Sequence, residues 1–396
     1  MSASPAERCD VAIIGAGVIG CMAARELARY HLDVLVLERF DDVGEGSSKA
    51  NSGLIHAGFH PRAGSLKGLS CVEGNAAYTK LCTELNVAFE RPGSLYVAFS
   101  EEGLAKTREK FDKGVANGAP GLRMISGDEA RAIEPRLSEK VIGALWAPTT
   151  GIISPLALVD ALARSAADNG VVFRFNAEVE NLSRTADTGW SIALVGGERI
   201  AARYVINAAG DDAELLDAQV HSADLEIKPR RGQFYVFDKQ DPETAITHPI
   251  YQAQDTDEGG TLITPSIDGN LIAGPTSENV RGYTRTETTA AGLDHVRRVA
   301  EKLIPDIDLG EVITNFAGVR ANIVNLEKEQ KDFVVRVSAP HLVSLLGIKN
   351  PGMTSAPALV QRCIALLADE GLPLDPDPTF AAELPARTPF LRCAPD

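Results

Sequence analysis

Cysteine is sparse in this 396-residue chain: the six thiols, Cys9, Cys21, Cys71, Cys82, Cys363 and Cys393, are scattered and form no C-x-x-C pair. That spacing excludes a zinc ribbon or an iron–sulfur cluster and leaves reduced, mostly buried thiols. No His/Cys/Asp/Glu grouping with metal-ligand spacing stands out either, so no metal is expected. Long apolar runs are missing too. The longest spans 11–24, short of the ~20 residues that a membrane helix needs. Residues 1–9 lack the basic and apolar regions of a secretory signal. The expected location is the cytoplasm, with a peripheral membrane contact left open. Basic residues are outnumbered, 39 Lys and Arg against 54 Asp and Glu, for a formal charge of −15. A nucleic-acid partner needs a basic face, so that class falls away. No internal repeat is present. What remains is a chain long enough for two cored domains, with the 44% hydrophobic and 23% charged content of an ordinary globule.

The chain is organised around residues 10–39. Val11-Ala12-Ile13-Ile14 is a short β-branched run, as a buried parallel strand requires. Gly15-Ala16-Gly17-Val18-Ile19-Gly20 follows and matches G-x-G-x-x-G. Gly15 allows the tight turn, Gly17 lets backbone approach a pyrophosphate, and Gly20 lets helix pack on strand. A helix over about 18–29 aims its free N–H groups and positive dipole end at the phosphates. A second strand over 33–37 closes at Glu38, with Arg39 beside it. A carboxylate there accepts both hydroxyl hydrogens of an adenosine ribose and repels a 2′-phosphate. This is a dinucleotide site.

Residues 44–58 are small, polar and glycine-rich. A surface loop is the plain alternative, but the Ser and Asn donors suit phosphate and ribityl oxygens. Helices are expected over 66–85, 101–117, 154–168, 289–303 and 355–369. Strands are expected over 93–99, 171–175 and 342–347. A hairpin joins 190–195 to 199–201 through Gly196-Gly197. Residues 204–210 are a separate buried strand ending in Ala208-Ala209-Gly210, small enough for a backbone or a ligand to lie close. From 227 to about 314, strands and turn-rich loops, with a hairpin signal at Asp268-Gly269, point to an antiparallel sheet interrupting the α/β domain. Beyond Leu372 the chain is Pro-rich, with little sign of packing.

Several segments in this order carry a resemblance: 51–58 (Asn-Ser-Gly-Leu-Ile-His-Ala-Gly), 61–67, 228–233 (Lys-Pro-Arg-Arg-Gly-Gln), 316–320 (Phe-Ala-Gly-Val-Arg) and 347–354 (Gly-Ile-Lys-Asn-Pro-Gly-Met-Thr). Over about 11–367 the chain resembles the D-amino-acid-oxidase-like superfamily of FAD-dependent oxidoreductases. Within it, the chain looks most like anaerobic-type glycerol-3-phosphate dehydrogenase catalytic subunits and L-2-hydroxyglutarate dehydrogenases. The resemblance implies FAD rather than NAD. It places Glu38 on the adenosine ribose, Ser47, Ser48, Asn51 and Ser52 along the pyrophosphate and isoalloxazine, and Val179 near the adenine. Gly347, Gly352, Met353 and Thr354 would face the flavin, where a helix N-terminus stabilises its anionic reduced form. Relatives of the glycerol-phosphate type often carry a cysteine-rich C-terminal domain. Here Cys393 stands alone, so oxygen, a quinone or a separate carrier is expected as electron acceptor.

Six side chains are candidates for the chemistry. Arg320, in an apolar run, suits a bidentate clamp on a substrate carboxylate or phosphate; an internal salt bridge is the alternative. Of Arg230 and Arg231, neighbours that alternate along a strand, Arg231 is preferred for the pocket against a solvated basic pair. His56 can take a hydroxyl proton or hold a flavin covalently, against a merely structural histidine. Lys349 can supply positive charge or act as a base, against a surface lysine. Tyr251 and His248 are weaker candidates.

The expected fold is α/β: a Rossmann-like FAD-binding domain (1–81, 154–225, 314–372) with an inserted, mainly antiparallel substrate domain (82–153, 226–313) and a tail, 373–396. The expected reaction is hydride transfer from the secondary alcohol of a small anionic metabolite to flavin N5, with glycerol 3-phosphate first and L-2-hydroxyglutarate second. The rivals are an amine or amino-acid oxidase on the same fold, and a flavin-bound redox or assembly protein without catalysis.

Overall fold

The computed structural model describes residues 7–187, 189–253, 260–281, 285–325 and 332–386; Cys393 lies outside them. Strand β1 (Glu7–Ile14) runs straight into helix α1 (Val18–Leu27), and strand β2 (Val34–Leu37) returns parallel to β1. On the other side of β1 lies β3 (Arg199–Asn207), also parallel. These strands sit inside an eight-stranded sheet, counted among the described residues. A core of apolar side chains from α1, α2 (Leu66–Leu85), Pro155–Asp168 and the C-terminal helix covers one face. The helix boundaries have local causes. The Ser65 hydroxyl caps α2 by accepting from Gly68 N at 3.0 Å, and Ser154 caps the next helix by accepting from Ala157 N at 3.3 Å.

The second sheet has nine strands among the described residues. Its spine is β4 (Arg230–Lys239), paired antiparallel with Asn270–Gly274 on one side. Ser94–Ala98 joins further along, followed by helix α3 (Glu101–Ala116). As expected, this mainly antiparallel unit is assembled from stretches that interrupt the α/β part of the chain. The helix Ala290–Leu303 packs on it through Val296, Val299, Ala300 and Leu303, with Thr289 as its cap.

Three expectations are corrected. The hairpin arm at 199–201 and the buried strand at 204–210 are one strand, β3. Its first half pairs antiparallel with Trp190–Leu194, and its second half pairs parallel with Leu342–Leu346. Burial changes along it from alternating to continuous, which is why one strand reads as two. Strand β5 (Val312–Arg320), which the sequence reading set mostly at the head of the third FAD-binding segment, is hydrogen-bonded along β4 in the second sheet. Phe316 stacks on Phe234 with ring centroids 4.7 Å apart. Last, the tail does pack. Asp377 N donates to Arg29 O, Leu384 N donates to Glu84 O, and Arg29 lies 4.4 Å over the Phe380 ring. Among the described residues no helix is long and apolar enough to cross a membrane.

Candidate active site

Between the sheets lies a cavity of about 1310 Å³, larger than the ~300–1,000 Å³ usual for a drug-sized ligand. One end is built by the glycine turn. A Cβ on Gly15 would stand 2.6 Å from Ala208 O, and one on Gly20 would stand 1.8 Å from Gly15 O, so both positions need glycine. Glu38 accepts from Ala16 N at 2.7 Å and from Phe40 N at 3.0 Å, which holds its carboxylate in the wall. Ser48 Oγ accepts from Val18 N at 3.0 Å, capping α1 from thirty residues downstream. Arg39 pairs with Asp212, and Val179, Ala208 and Gly210 complete the wall. Asp211 lies beside them, its carboxyl raised to about 7 by burial and by Asp212 despite a contact with Ser47. A glycine cradle under a helix N-terminus, with a carboxylate at the end of the second strand, fits an adenine dinucleotide.

The chemistry-bearing residues lie at the other end. Asn51 locks the loop, donating to Ser48 O at 2.7 Å and accepting from Gly53 N at 2.9 Å. Gly53, at φ +68°, packs where a Cβ would meet Ile153 O at 2.2 Å. The short strand Leu54–Ile55 then delivers His56. The His56 backbone is fixed at both ends: its N donates to Thr354 Oγ1 at 2.9 Å, and its O accepts from Asn75 Nδ2 at 3.0 Å. Its ring lies between Tyr251 Oη, 3.2 Å from Nδ1, and Asn350 Nδ2, 2.8 Å from Nε2. Because an amide nitrogen donates, Nε2 carries the lone pair and Nδ1 the hydrogen. Burial lowers His56 to about 4, so the ring is neutral at ordinary pH. Burial likewise pushes the Tyr251 hydroxyl up, which keeps it protonated.

Helix α4 (Gly352–Asp369) points its N-terminus at the same place, and Gly352, Met353 and Thr354 line the cavity. Its seat is set by α2, where a Cβ on Gly74 would stand 2.0 Å from Thr354 O. Tyr78 Oη donates to Met353 O at 2.5 Å. Lys349 reaches Asn322 Oδ1. Arg320, at the end of β5, donates through Nη2 to Thr276 O at 2.6 Å. Burial and the neighbouring Arg230 lower it to about 10, and it remains a cation at neutral pH.

His56, Tyr251, Arg320, Lys349, Ser47, Ser48, Asn51 and Ser52 thus share one cavity wall, with the glycine turn at its far end. Arg231 does not. Register sets Arg230 opposite Arg320, and Arg230 faces the cavity. Arg231 turns to the other face of β4 and pairs with Glu278 at 3.0 Å and Glu287 at 2.7 Å. The expectation for Arg231 is therefore withdrawn in favour of Arg230. Gly347 lies under Ile323 rather than on the cavity surface, at φ +66°. His248 pairs with Glu134 elsewhere. Sequence reading missed Asn75, His60 and the partner role of Asn350, although Asn350 sits inside a segment that carried the resemblance.

A family model described as FAD dependent oxidoreductase matches residues 10–365. The chain is 38% identical over 360 residues to a glycerol 3-phosphate dehydrogenase of Caloramator mitchellensis, covering 90% of this chain and 73% of that protein. It is 28% identical over 408 residues to the mitochondrial L-2-hydroxyglutarate dehydrogenase of Arabidopsis thaliana, covering 90% and 83%. Its structure is similar to that of the L-alpha-glycerophosphate oxidase of Mycoplasma pneumoniae with FAD bound. The TM-score is 0.88 at 27% identity, covering 96% of this chain and all of that one.

Proposed function

The chain belongs to the FAD dependent oxidoreductase family, and from that premise we propose that it oxidises the secondary alcohol of a small anionic metabolite, glycerol 3-phosphate first and L-2-hydroxyglutarate second. One arrangement carries this reading. A neutral, buried His56 stands in the same cavity as the Arg320 guanidinium, between the glycine cradle and the helix α4 N-terminus. When bound, FAD supplies the two-electron acceptor for the carbinol carbon.

The protein's own residues do the rest. Gly15, Gly17, the α1 N-terminus, Glu38 and Ser48 hold the dinucleotide. Arg320, with Arg230 beside it, anchors the phosphate or carboxylate, and the Thr276 carbonyl fixes how the guanidinium presents its remaining donors. His56 Nε2 accepts the hydroxyl proton at the position the Asn350 amide now marks, while Tyr251 holds the opposite ring nitrogen and so the tautomer. Lys349 and the first amides of α4 stabilise negative charge that develops beside them. In this reading the cofactor domain comprises 1–81, 154–225 and 321–372, and the substrate domain comprises 82–153 and 226–320.

The test is an anaerobic absorbance titration of the yellow protein with hydroxy acids, polyol phosphates and amino acids. Bleaching by glycerol 3-phosphate or L-2-hydroxyglutarate is the expected result. Bleaching by glycine or proline alone would move the protein to the amine-oxidase class, and bleaching by nothing would remove the catalytic reading. Reoxidation of the bleached protein by air, by a quinone or by neither then identifies the class of acceptor.

A further inference from the structure

The cavity is electrically polarised. The acids on its wall, Glu38, Glu178, Glu180, Asp211 and Asp212, gather at the glycine-turn end, with Arg39, paired to Asp212, as the base among them. At the His56 end stand Arg230, Arg320 and Lys349, and beyond them Arg62, Lys67 and Lys113, with Asp332 as the one acid of that end among the described lining residues. Arg62 is exposed while lining the cavity, which puts it at the mouth.

This outer group is built rather than scattered. Asn117, just past the end of α3, donates to Gly58 O at 3.0 Å and Pro61 O at 3.2 Å and accepts from Gly64 N at 3.1 Å. It ties the loop that carries His60 and Arg62 to the helix that carries Lys113. Ser65 Oγ donates to Arg62 O at 2.6 Å and closes the turn into α2. Lys67 occupies the first turn of α2, where a cation opposes the helix dipole. Burial lowers it further, to about 8, and Asp332 offsets only part of that. Burial disfavours protonation of His60, Lys110 and Lys113 add to that, and the His60 and His56 rings are 6.0 Å apart. The basic group therefore leads directly to the His56 chamber. In a protein of charge −15 a basic group at the mouth runs against the net charge that an approaching anion meets.

We propose that Arg62, Lys67 and Lys113 form an electrostatic collar that draws anionic substrates through the mouth of the cavity toward His56. The identity of the substrate rests on the function proposed above; the collar itself does not. Its contribution is to capture, so it raises kcat/KM and leaves kcat alone.

The experiment compares holoenzyme variants Arg62→Glu, Lys113→Glu and Lys113→Gln with Lys239→Glu, an equal charge change at an exposed position on β4 outside the cavity wall. At an ionic strength of about 20 mM the two collar reversals lower kcat/KM about tenfold and Lys113→Gln about threefold, and at about 0.5 M all return to within about twofold. Lys239→Glu stays near wild type throughout. A second readout needs no substrate: quenching of flavin fluorescence by iodide falls in the collar variants at low salt, while quenching by neutral acrylamide does not change. Wild-type salt dependence and unchanged iodide quenching in the reversals would overturn the collar. Reversals that behave like Lys239→Glu would reduce it to a net-charge effect and overturn it equally. If no alcohol bleaches the wild-type flavin, the iodide comparison alone decides, and only the function proposed above is lost.

Discussion

His56 gains its second ring proton only below about pH 4, because burial leaves the charged ring without water. A base with that property is competent across the neutral range. The acid limb of kcat/KM is therefore expected near pH 4 rather than near the ~6.5 of a solvated histidine, unless a group on the substrate titrates first. His56→Asn is expected to keep bound flavin and lose about 10²–10⁴-fold in kcat, read from stopped-flow bleaching. The two arginines of β4 and β5 separate by a different measurement. Arg320→Met removes a charge-assisted contact of about 1.5–3 kcal/mol and should raise KM about 10–100-fold with the melting temperature little changed. Arg231→Met removes the buried guanidinium that pairs with Glu278 and Glu287, which keep Gln233 and Arg285 as partners, so it should lower the melting temperature modestly and leave KM near wild type. Arg231 was preferred in the sequence because its neighbours alone cannot say which face of the strand is the inner one. The answer lies in the pairing of Arg230 with Arg320, ninety residues away, and in two acids that arrive from other segments.

At the scale of elements, local signals were legible wherever the cause was local. The span 66–85 follows from its Ser65 cap and the αL turn at Asn86, and the helix after Ser154 from its cap and proline. The loop to His56 was legible from its small, polar composition. Close approaches between distant elements were not. Gly74 reads in sequence as a helix-weakening residue, yet the backbone of α4 lies against it. This gives a prediction with opposite signs for one substitution. Gly103→Ala in α3, where the added Cβ meets nothing nearer than 3.4 Å, should be neutral or stabilising by up to about 1 kcal/mol. Gly74→Ala should push the α4 N-terminus back, lowering flavin affinity and melting temperature together. Flavin release on dilution and thermal melting read both.

For the molecule as a whole, the tail shows how composition misleads. Prolines and a lack of periodicity hid a strap that crosses α1, with Pro376 bridging to Tyr30 and Leu384 buried against the main core. Ending the chain after Leu372 is expected to lower the melting temperature by several degrees while leaving KM unchanged, since none of the described residues of the strap lines the cavity. The interleaving of the two sheets has a consequence during biosynthesis. The turn at Gly15 emerges early, but β1 waits for β3, and the far wall of the cavity closes only with β5 and α4. A ribosome must therefore deliver some 350 residues before a flavin finds a finished site. Until then the apolar strand of the nucleotide motif has β2 on one flank and its other edge unpaired, a long interval in which that edge is open to non-native pairing.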